Sequence, residues 1–194
     1  MAREPDRRDA ILAKAAALFA SRGVAATTIR QIADEVGILS GSLYHHFESK
    51  EAIVDEIVSS YLEDLRNRYK RVLDREYDPR QRLYLLVMTS LQVAEAHPHA
   101  TEIYQNDVNY LTQLERFSYL RNAGKEVQNT WLEVINAGVA QGVFRSDLDP
   151  KIVYRLMRDA VWLSVRWFKP SRNYSIAHLA EDCTSLFLNG LVTA

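Results

Sequence analysis

Two short stretches of this chain combine residue types that can do chemistry, and the first is GILSGSLYHHFESKEA, residues 37–52. Its small residues and its hydrogen-bond donors follow one another directly: Ser40, Gly41, Ser42, Tyr44, His45 and His46. Hydroxyl and imidazole groups donate hydrogen bonds to phosphate oxygens, and small residues let a backbone approach another surface closely. The composition therefore favours a contact surface, and a closely packed corner within the chain is the alternative.

The second stretch, MRDAVWLSVRWFKP, carries Arg158, Trp162 and Arg166 at a constant spacing of four. On a continuous helix this spacing places the three side chains on one face. An aromatic ring between two guanidinium groups can hold a flat ligand that also bears phosphates or carboxylates. We expect this face to line a ligand site.

The segment EIYQNDVNYL brings polar groups to a helix that would otherwise be apolar, and Tyr104 and Asp107 are candidates for a second wall of that site. The alternative is that the arginines pair with internal acids such as Asp159 or Asp107, while Trp162 packs in a core or a dimer contact. Asp159 is expected to be a poor partner for Arg158, because neighbours on a helix point about 100° apart.

Helices must position both stretches, because apolar residues recur at spacings of three and four along most of the chain. Only seven Gly and five Pro interrupt this pattern, and no alternating strand pattern stands out. The sequence predicts an all-α fold of about nine helices, three short ones before residue 48 and longer ones after it. It also predicts an N-terminal domain over 1–48 and a larger helical domain over 49–194.

Local signals predict where several helices begin and end. The segment TIRQIADEV has Thr27 or Thr28 as its candidate N-cap and Gly37 as its end. A long helix is predicted to cover 117–142, and another, opened by an Asp-Pro pair, is predicted to run through Phe168.

The segment TIRQIADEV, the turn GILS and the segment GSLYHHF form a helix-turn-helix pattern, in which the second helix enters the DNA major groove. Leu43 and Phe47, at i and i+4, are predicted to face inward and hold this helix. Lys50, which follows the candidate N-cap Ser49, is placed to bind a phosphate. At the N-terminus, disorder is predicted for Arg3, Arg7 and Arg8. A flexible arm that binds phosphates is the alternative.

The stretch TTIRQIADEVGILSGSLYHHFESKEAIVDEIV, residues 27–58, resembles the N-terminal signature of TetR-family transcriptional repressors. That resemblance implies a nine-helix fold, a homodimer that binds a palindromic operator, and a small-molecule effector held in the C-terminal domain. It assigns the DNA contacts to these positions: Thr28, Arg30, Ser40, Gly41, Ser42, Tyr44, His45, His46 and Lys50. Arg30 is the candidate base reader, because Arg pairs bidentately with guanine, and a solvated helix face is its alternative.

The stretches YRLMRDAVWLSVRWFKP and GILSGSLYHHFESKE also resemble an actinobacterial subgroup of this family that represses genes for late cholesterol-ring degradation. The resemblance implies an effector that is a CoA thioester of a steroid-ring fragment, with its phosphates on Arg158 and Arg166. A TetR-type regulator of an efflux or fatty acyl-CoA pathway is the alternative. The dimer is predicted to form through the last two helices, with Leu179, Leu186 and Phe187 as contributors.

Composition excludes some classes of function and leaves others open. Charged residues make up 25% of the chain with a net charge of −1, so charge alone indicates neither nucleic acid nor membrane binding. The single cysteine, Cys183, the lack of a signal peptide and the lack of a long apolar run favour a cytoplasmic protein. No phosphate-binding loop, nucleophile elbow or Glu-x-x-His pair occurs, so we predict no catalytic residue, metal or cofactor. A helical adaptor that does not bind DNA would leave SGSLYHH unexplained.

Overall fold

The computed structural model describes residues 7–191, and most of these residues are helical. Nine α-helices follow one another in this range: α1 Arg7–Arg22, α2 Ile29–Val36, α3 Ser40–Leu43, α4 Lys50–Leu73, α5 Pro79–Ala96, α6 Pro98–Leu111, α7 Leu120–Ala140, α8 Pro150–Trp162 and α9 Ile176–Leu191. Two short 3-10 helices precede α7 and follow α8: Glu115–Phe117 and Leu163–Arg166. The predicted all-α architecture is confirmed. Each helix between residues 7 and 191 is too short or too polar to cross a membrane.

The chain divides into two compact units. The first unit comprises the described residues up to Leu62 together with His99–Arg121, and the second unit comprises Glu63–Pro98 and the described residues from Asn122 onward. Helix α4 contributes its first half to the first unit and its second half to the second. These units differ from the predicted division between residues 48 and 49, which stays a prediction.

The first unit is built around α2, whose two ends are fixed by sequence-specific caps. The Thr28 hydroxyl accepts a hydrogen bond from the backbone N–H of Gln31 at 3.2 Å, and the Gln31 side chain accepts one from the backbone N–H of Thr28 at 2.9 Å. Gly37 ends the helix with φ 77°, a left-handed conformation that favours glycine. Thr28, one of the two predicted N-caps, is therefore confirmed as the cap.

The second unit contains a buried polar contact between α4, α5 and α7. The Tyr69 hydroxyl lies 2.6 Å from the hydroxyl oxygen of Ser90 and accepts a hydrogen bond from the indole N–H of Trp131 at 3.0 Å. Ser90 in turn donates to the carbonyl of Leu86 at 2.6 Å. The rings of Tyr69 and Trp131 meet edge to face with centroids 6.4 Å apart. These polar groups are satisfied inside an otherwise apolar core, which is the condition for burying them.

Gly138 lets the end of α7 close against the residues that follow it. A Cβ atom at this position would lie 2.1 Å from the Phe144 ring, closer than any real contact. The Gly138 carbonyl also accepts hydrogen bonds from the backbone N–H groups of Val143 and Phe144, at 2.9 and 3.0 Å. Phe144 is thereby buried over the backbone of α7.

Two predicted helix limits are wrong. Helix α7 begins at Leu120 rather than at residue 117. Helix α8 ends at Trp162, and the chain continues as a 3-10 helix instead of an α-helix to Phe168. The Ser164 hydroxyl donates to the Val161 carbonyl at 2.6 Å, and such local bonds compete with α-helical ones.

The prediction of a disordered N-terminal arm is wrong where the structure describes it. Arg7 and Arg8 form the first turn of α1. Arg8 pairs with Glu56 of α4, and its guanidinium carbon lies 4.5 Å from the centroid of the Phe47 ring. A cation over an aromatic face and an ion pair together order this end of the helix. Arg3 lies outside the described residues.

Replacing Tyr69 by Phe is expected to lower the unfolding free energy in urea by about 1–3 kcal/mol at neutral pH, because Trp131 loses a buried acceptor. Burial raises the pKa of Tyr69 to about 12, from an ordinary value of 10.0. The hydroxyl therefore contributes its full share of the unfolding free energy below the pKa that Tyr69 has in the unfolded chain. This contribution is lost as the pH rises through the pKa that Tyr69 has in the folded protein. The destabilisation caused by Tyr69→Phe should shrink between about pH 10 and pH 12.

Tyr44→Phe is the matched control, because its ring is 56% exposed and the change should alter stability by less than about 0.5 kcal/mol. A penalty for Tyr69→Phe that stays constant across this pH range would contradict the assigned cause.

Candidate functional site

The segment after α2 turns its apolar side chains inward and its polar ones outward. Leu43 is fully buried and Phe47 is 4% exposed. Tyr44 is 56% exposed, and His45 and His46 are exposed as well. The predicted division of this segment into an inner and an outer face is confirmed.

Helix α3 is shorter than the predicted GSLYHHF helix, because regular α-helix ends at Leu43. The chain nevertheless keeps turning: the backbone N–H groups of His46 and Phe47 both donate to the Leu43 carbonyl, at 2.9 and 3.0 Å. No side chain caps the start of α3. Burial of Leu43 and Phe47 therefore does more to hold this segment than the helix itself.

The other predicted DNA contacts of α2 and α3 lie on the same unit and are accessible. The Arg30 side chain is 86% exposed, and its nearest acid, Asp34, is 3.9 Å away. An exposed pair at that distance holds the guanidinium group weakly. Gly41 and Ser42 are exposed, and Ser40 is half-buried. The residues predicted to contact DNA, apart from Lys50, are called the recognition surface: Thr28, Arg30, Ser40, Gly41, Ser42, Tyr44, His45 and His46.

Lys50 is placed differently from the other candidates. Its ammonium group donates to the carbonyl of Val24 at 2.8 Å and to that of Thr27 at 3.0 Å. The side chain therefore ties the α1–α2 loop to the start of α4, where Ser49 caps the helix by accepting from the N–H of Ala52 at 3.1 Å. An ammonium group has three donors, and a phosphate contact through the third stays a prediction.

The first unit also contains a polar cluster that the sequence does not predict. Arg116, in the 3-10 helix before α7, pairs with Glu48 and lies 3.4 Å from Asp55 of α4. The Tyr119 hydroxyl donates to Asp55 at 2.8 Å. Burial raises the pKa of Tyr119, and the hydrogen bond to Asp55 raises it further. More than 60 residues separate the partners, so no sequence pattern could have joined them.

The predicted ligand residues of α8 do not form the expected Arg-Trp-Arg face. Arg158 bonds Asp159 from Nε at 2.8 Å and from Nη2 at 2.7 Å. The expectation that Asp159 is a poor partner is wrong, because a long guanidinium side chain can fold along its helix to its neighbour. Burial acts to lower the pKa of Arg158, but the hydrogen bond and the charge of Asp159, together with Tyr154, outweigh it, so the pKa is raised.

The other two members of that face are separated by the change of helix type. Trp162 is half-buried, and its side chain forms a hydrogen bond with Tyr69. This bond acts to lower the pKa of Tyr69, whereas burial of Tyr69 raises it. Arg166 is exposed in the 3-10 helix, which turns about 120° per residue. Arg166 therefore leaves the α-helical face that carries Arg158 and Trp162.

Tyr104 and Asp107 lie in the first unit, whereas the three α8 candidates lie in the second. Tyr104 is buried with its ring 5.9 Å from that of Tyr61, centroid to centroid. Asp107 accepts a hydrogen bond from the backbone N–H of Val24 at 3.4 Å. Burial raises the pKa of this carboxyl group, and that hydrogen bond lowers it in part.

Replacing Lys50 by Ala is expected to lower the unfolding free energy by about 1–3 kcal/mol, because two part-buried carbonyls lose their charged donor. Urea denaturation checks this without any DNA present. Lys14→Ala is the matched control: Lys14 is an exposed lysine that pairs with Glu35 at the surface, at 3.1 Å, so its loss should have little effect. Unchanged stability in the Lys50 variant would mean that its ammonium group serves something other than this loop.

Comparison with known proteins gives the same picture over the whole chain. Residues 11–57 match the family described as bacterial regulatory proteins, tetR family, and residues 76–191 match the tetracyclin repressor-like C-terminal domain. The HTH-type transcriptional repressor KstR2 of Rhodococcus jostii (strain RHA1) is 44% identical over 187 residues, covering 96% of this chain and 92% of the relative. The structure of the ketosteroid transcriptional regulator KstR2 of Mycobacterium tuberculosis superposes with a TM-score of 0.92 at 41% identity, covering 99% of this chain and 98% of that one.

One more distant structure shows the fold alone. AibR superposes with a TM-score of 0.79 at 22% identity, covering 93% of this chain and 97% of its own. The two family matches and the KstR2 relatives decide the assignment, since they span both the recognition surface and the C-terminal helices. The chain therefore belongs to the TetR family of bacterial transcriptional regulators, as a repressor of the KstR2 type.

Proposed function

We propose that this chain is a cytoplasmic, dimeric repressor that binds a palindromic operator and is released from it by a CoA thioester of a steroid-ring catabolite. The observation that carries the DNA-binding half is the recognition surface, where exposed donors stand on a segment fixed by Leu43 and Phe47. Exposed Tyr and His donors suit phosphates, and the weakly held Arg30 suits a base edge. The chain acts by binding and catalyses no reaction.

The dimer is supported by an apolar stripe on the second unit. Two large apolar residues of α8 are exposed at helical spacing, Ile152 at 50% and Leu156 at 66%, and two more are exposed in and directly after the 3-10 helix that follows, Leu163 at 39% and Trp167 at 65%. On α9, Leu186 is 73% exposed and Phe187 is half-buried, while Leu179 is 4% exposed within its own chain. Exposed apolar stripes of this kind are typical of protein interfaces. We place the dimer contact there, with Leu179 supporting it from beneath.

The effector is inferred from relatives and from residue chemistry. The M. tuberculosis KstR2 is a ketosteroid regulator by name, and AibR has been crystallised with isovaleryl coenzyme A and operator DNA. We assign the contacts to Arg158 and Trp162 on α8, with Arg166 of the following 3-10 helix as a further candidate in the same unit. Since Arg158 is already paired with Asp159, a phosphate must compete with that carboxylate, which is exposed and therefore replaceable.

Replacing Arg30 by Ala is expected to relax the preference for one base pair of the operator by about 1–3 kcal/mol, because a bidentate contact with a guanine is lost. Fluorescence anisotropy with operator duplexes that vary at each position measures this. Arg22→Ala is the control, since it removes the same charge from an exposed site at the end of α1, outside the recognition surface. It should weaken all sequences slightly and equally.

An Arg30 variant that weakens every duplex equally would make Arg30 a phosphate contact. A mass of about 22 kDa in light scattering at micromolar concentration, the monomer value, would contradict the symmetric mode of binding.

Replacing Arg158 by Gln is expected to reduce release of the operator complex by a steroid-ring CoA thioester, with a shift of about tenfold or more in the half-maximal concentration. The readout is a titration of the complex by anisotropy. Arg155→Gln is the matched control, because this arginine lies exposed on the same helix. Both variants should bind operator normally before the thioester is added.

Equal release of the Arg158 and Arg155 variants would remove Arg158 from the site. Release by a fatty acyl-CoA at the same concentration as by the steroid thioester would favour the alternative pathway assignment.

A further inference from the structure

A surface cavity of about 260 Å³ in the second unit stands apart from the residues considered so far. It lies against the C-terminal turns of α4 and the middle of α5. Three arginines line it: Arg68, Arg71 and Arg75. No carboxylate is among its lining residues, so its charge is positive.

Two of these arginines keep an uncompensated charge. Arg68 bonds Asp64 at 2.8 Å, which neutralises it. Arg71 donates from Nε to the carbonyl of Asn67 at 3.3 Å, and Arg75 donates from Nη1 to the hydroxyl of Tyr77 at 3.2 Å. Both acceptors are neutral. Within residues 7–191, Arg71 and Arg75 form no ion pair.

The C-terminal end of a helix carries a partial negative charge, which favours basic residues in the last turn. This helix-dipole effect alone accounts for Arg71. It does not account for Arg75, which lies beyond Leu73, the last residue of α4, because the effect falls off outside that turn. Asp74 and Glu76 flank Arg75 in the sequence but do not line the cavity. Guanidinium groups that line one cavity without an ion pair attract anions. Their planar forks match phosphate groups in particular.

The remaining lining gives the cavity an amphipathic character. Val72 and Leu85 supply apolar surface, Tyr77 supplies an aromatic ring, and Thr89 and Gln92 supply hydrogen-bonding groups. Ligand pockets for complete drug-sized molecules occupy about 300–1,000 Å³. A cavity of about 260 Å³ therefore suits one compact part of a ligand.

We propose that this cavity binds the phosphorylated end of a nucleotide, with phosphates on Arg71 and Arg75 and the sugar and base against Tyr77 and Leu85. A free nucleotide and the nucleotide end of a CoA thioester share this chemistry. The site is separate from the α8 residues assigned to the effector, and it does not depend on DNA binding.

The test is isothermal titration of the whole protein, without DNA, with three probes: pyrophosphate, ADP and adenosine 3′,5′-bisphosphate. The two nucleotides are expected to bind more tightly than pyrophosphate, because they add contacts with Tyr77 and Leu85. Arg71→Gln combined with Arg75→Gln should weaken them about tenfold or more, since two charge-assisted contacts are lost. The control is Arg80→Gln, an exposed arginine of α5 that does not line the cavity.

The double variant and the control should melt at the wild-type temperature, because all three arginines are exposed. Tighter binding of the bisphosphate than of ADP would identify the CoA end as the source, and equal binding would identify free nucleotides. Nucleotide binding that is absent at millimolar concentration, or unchanged in the double variant, overturns the proposal. A separate anisotropy titration with operator DNA serves as a second readout. A double variant that keeps its nucleotide affinity and loses operator affinity also overturns the proposal, because these arginines would then be DNA phosphate contacts.

Discussion

Burial of Leu43 and Phe47 is the interaction on which the recognition surface depends. A single helical turn cannot stabilise itself in water, because nucleation fixes several residues for one hydrogen bond. Helix α3 is four residues long and has no side-chain cap, so its stability must come from side chains packed inward. With Phe47 under the guanidinium of Arg8, the N-terminus of α1 also contributes to holding this segment.

Most of the helical layout could be predicted from the sequence, because its determinants are local. The Thr28 cap, the left-handed Gly37 and the Asp78 cap before Pro79 each act within a few residues. One departure from the predicted layout has a local cause. Ser164 bonds the carbonyl of Val161 and converts the end of α8 to a 3-10 helix, although its apolar spacing continues.

The candidate site was predictable in residue type but less so in arrangement. The inward and outward faces around Leu43 follow from helical spacing, which is encoded locally. Two other features depend on tertiary contacts between distant segments. Lys50 donates to two backbone carbonyls, and Arg116 lies beside Glu48 and Asp55. Charge types in a sequence do not reveal which opposite charge or carbonyl the fold brings near them.

Thr28 shows how closely folding and recognition are combined in this module. Its hydroxyl is committed to capping α2, yet the residue stands exposed on the recognition surface. Arg30 is 86% exposed and pairs only weakly with Asp34, so its replacement is expected to leave the fold unaffected. Under the proposed function, such positions can diversify when operator sequences diverge. Position 28 can vary only among residues that cap a helix, chiefly Ser, Thr, Asp and Asn. Under the proposed function, new operator preferences are therefore expected to arise at positions whose side chains do not stabilise the fold.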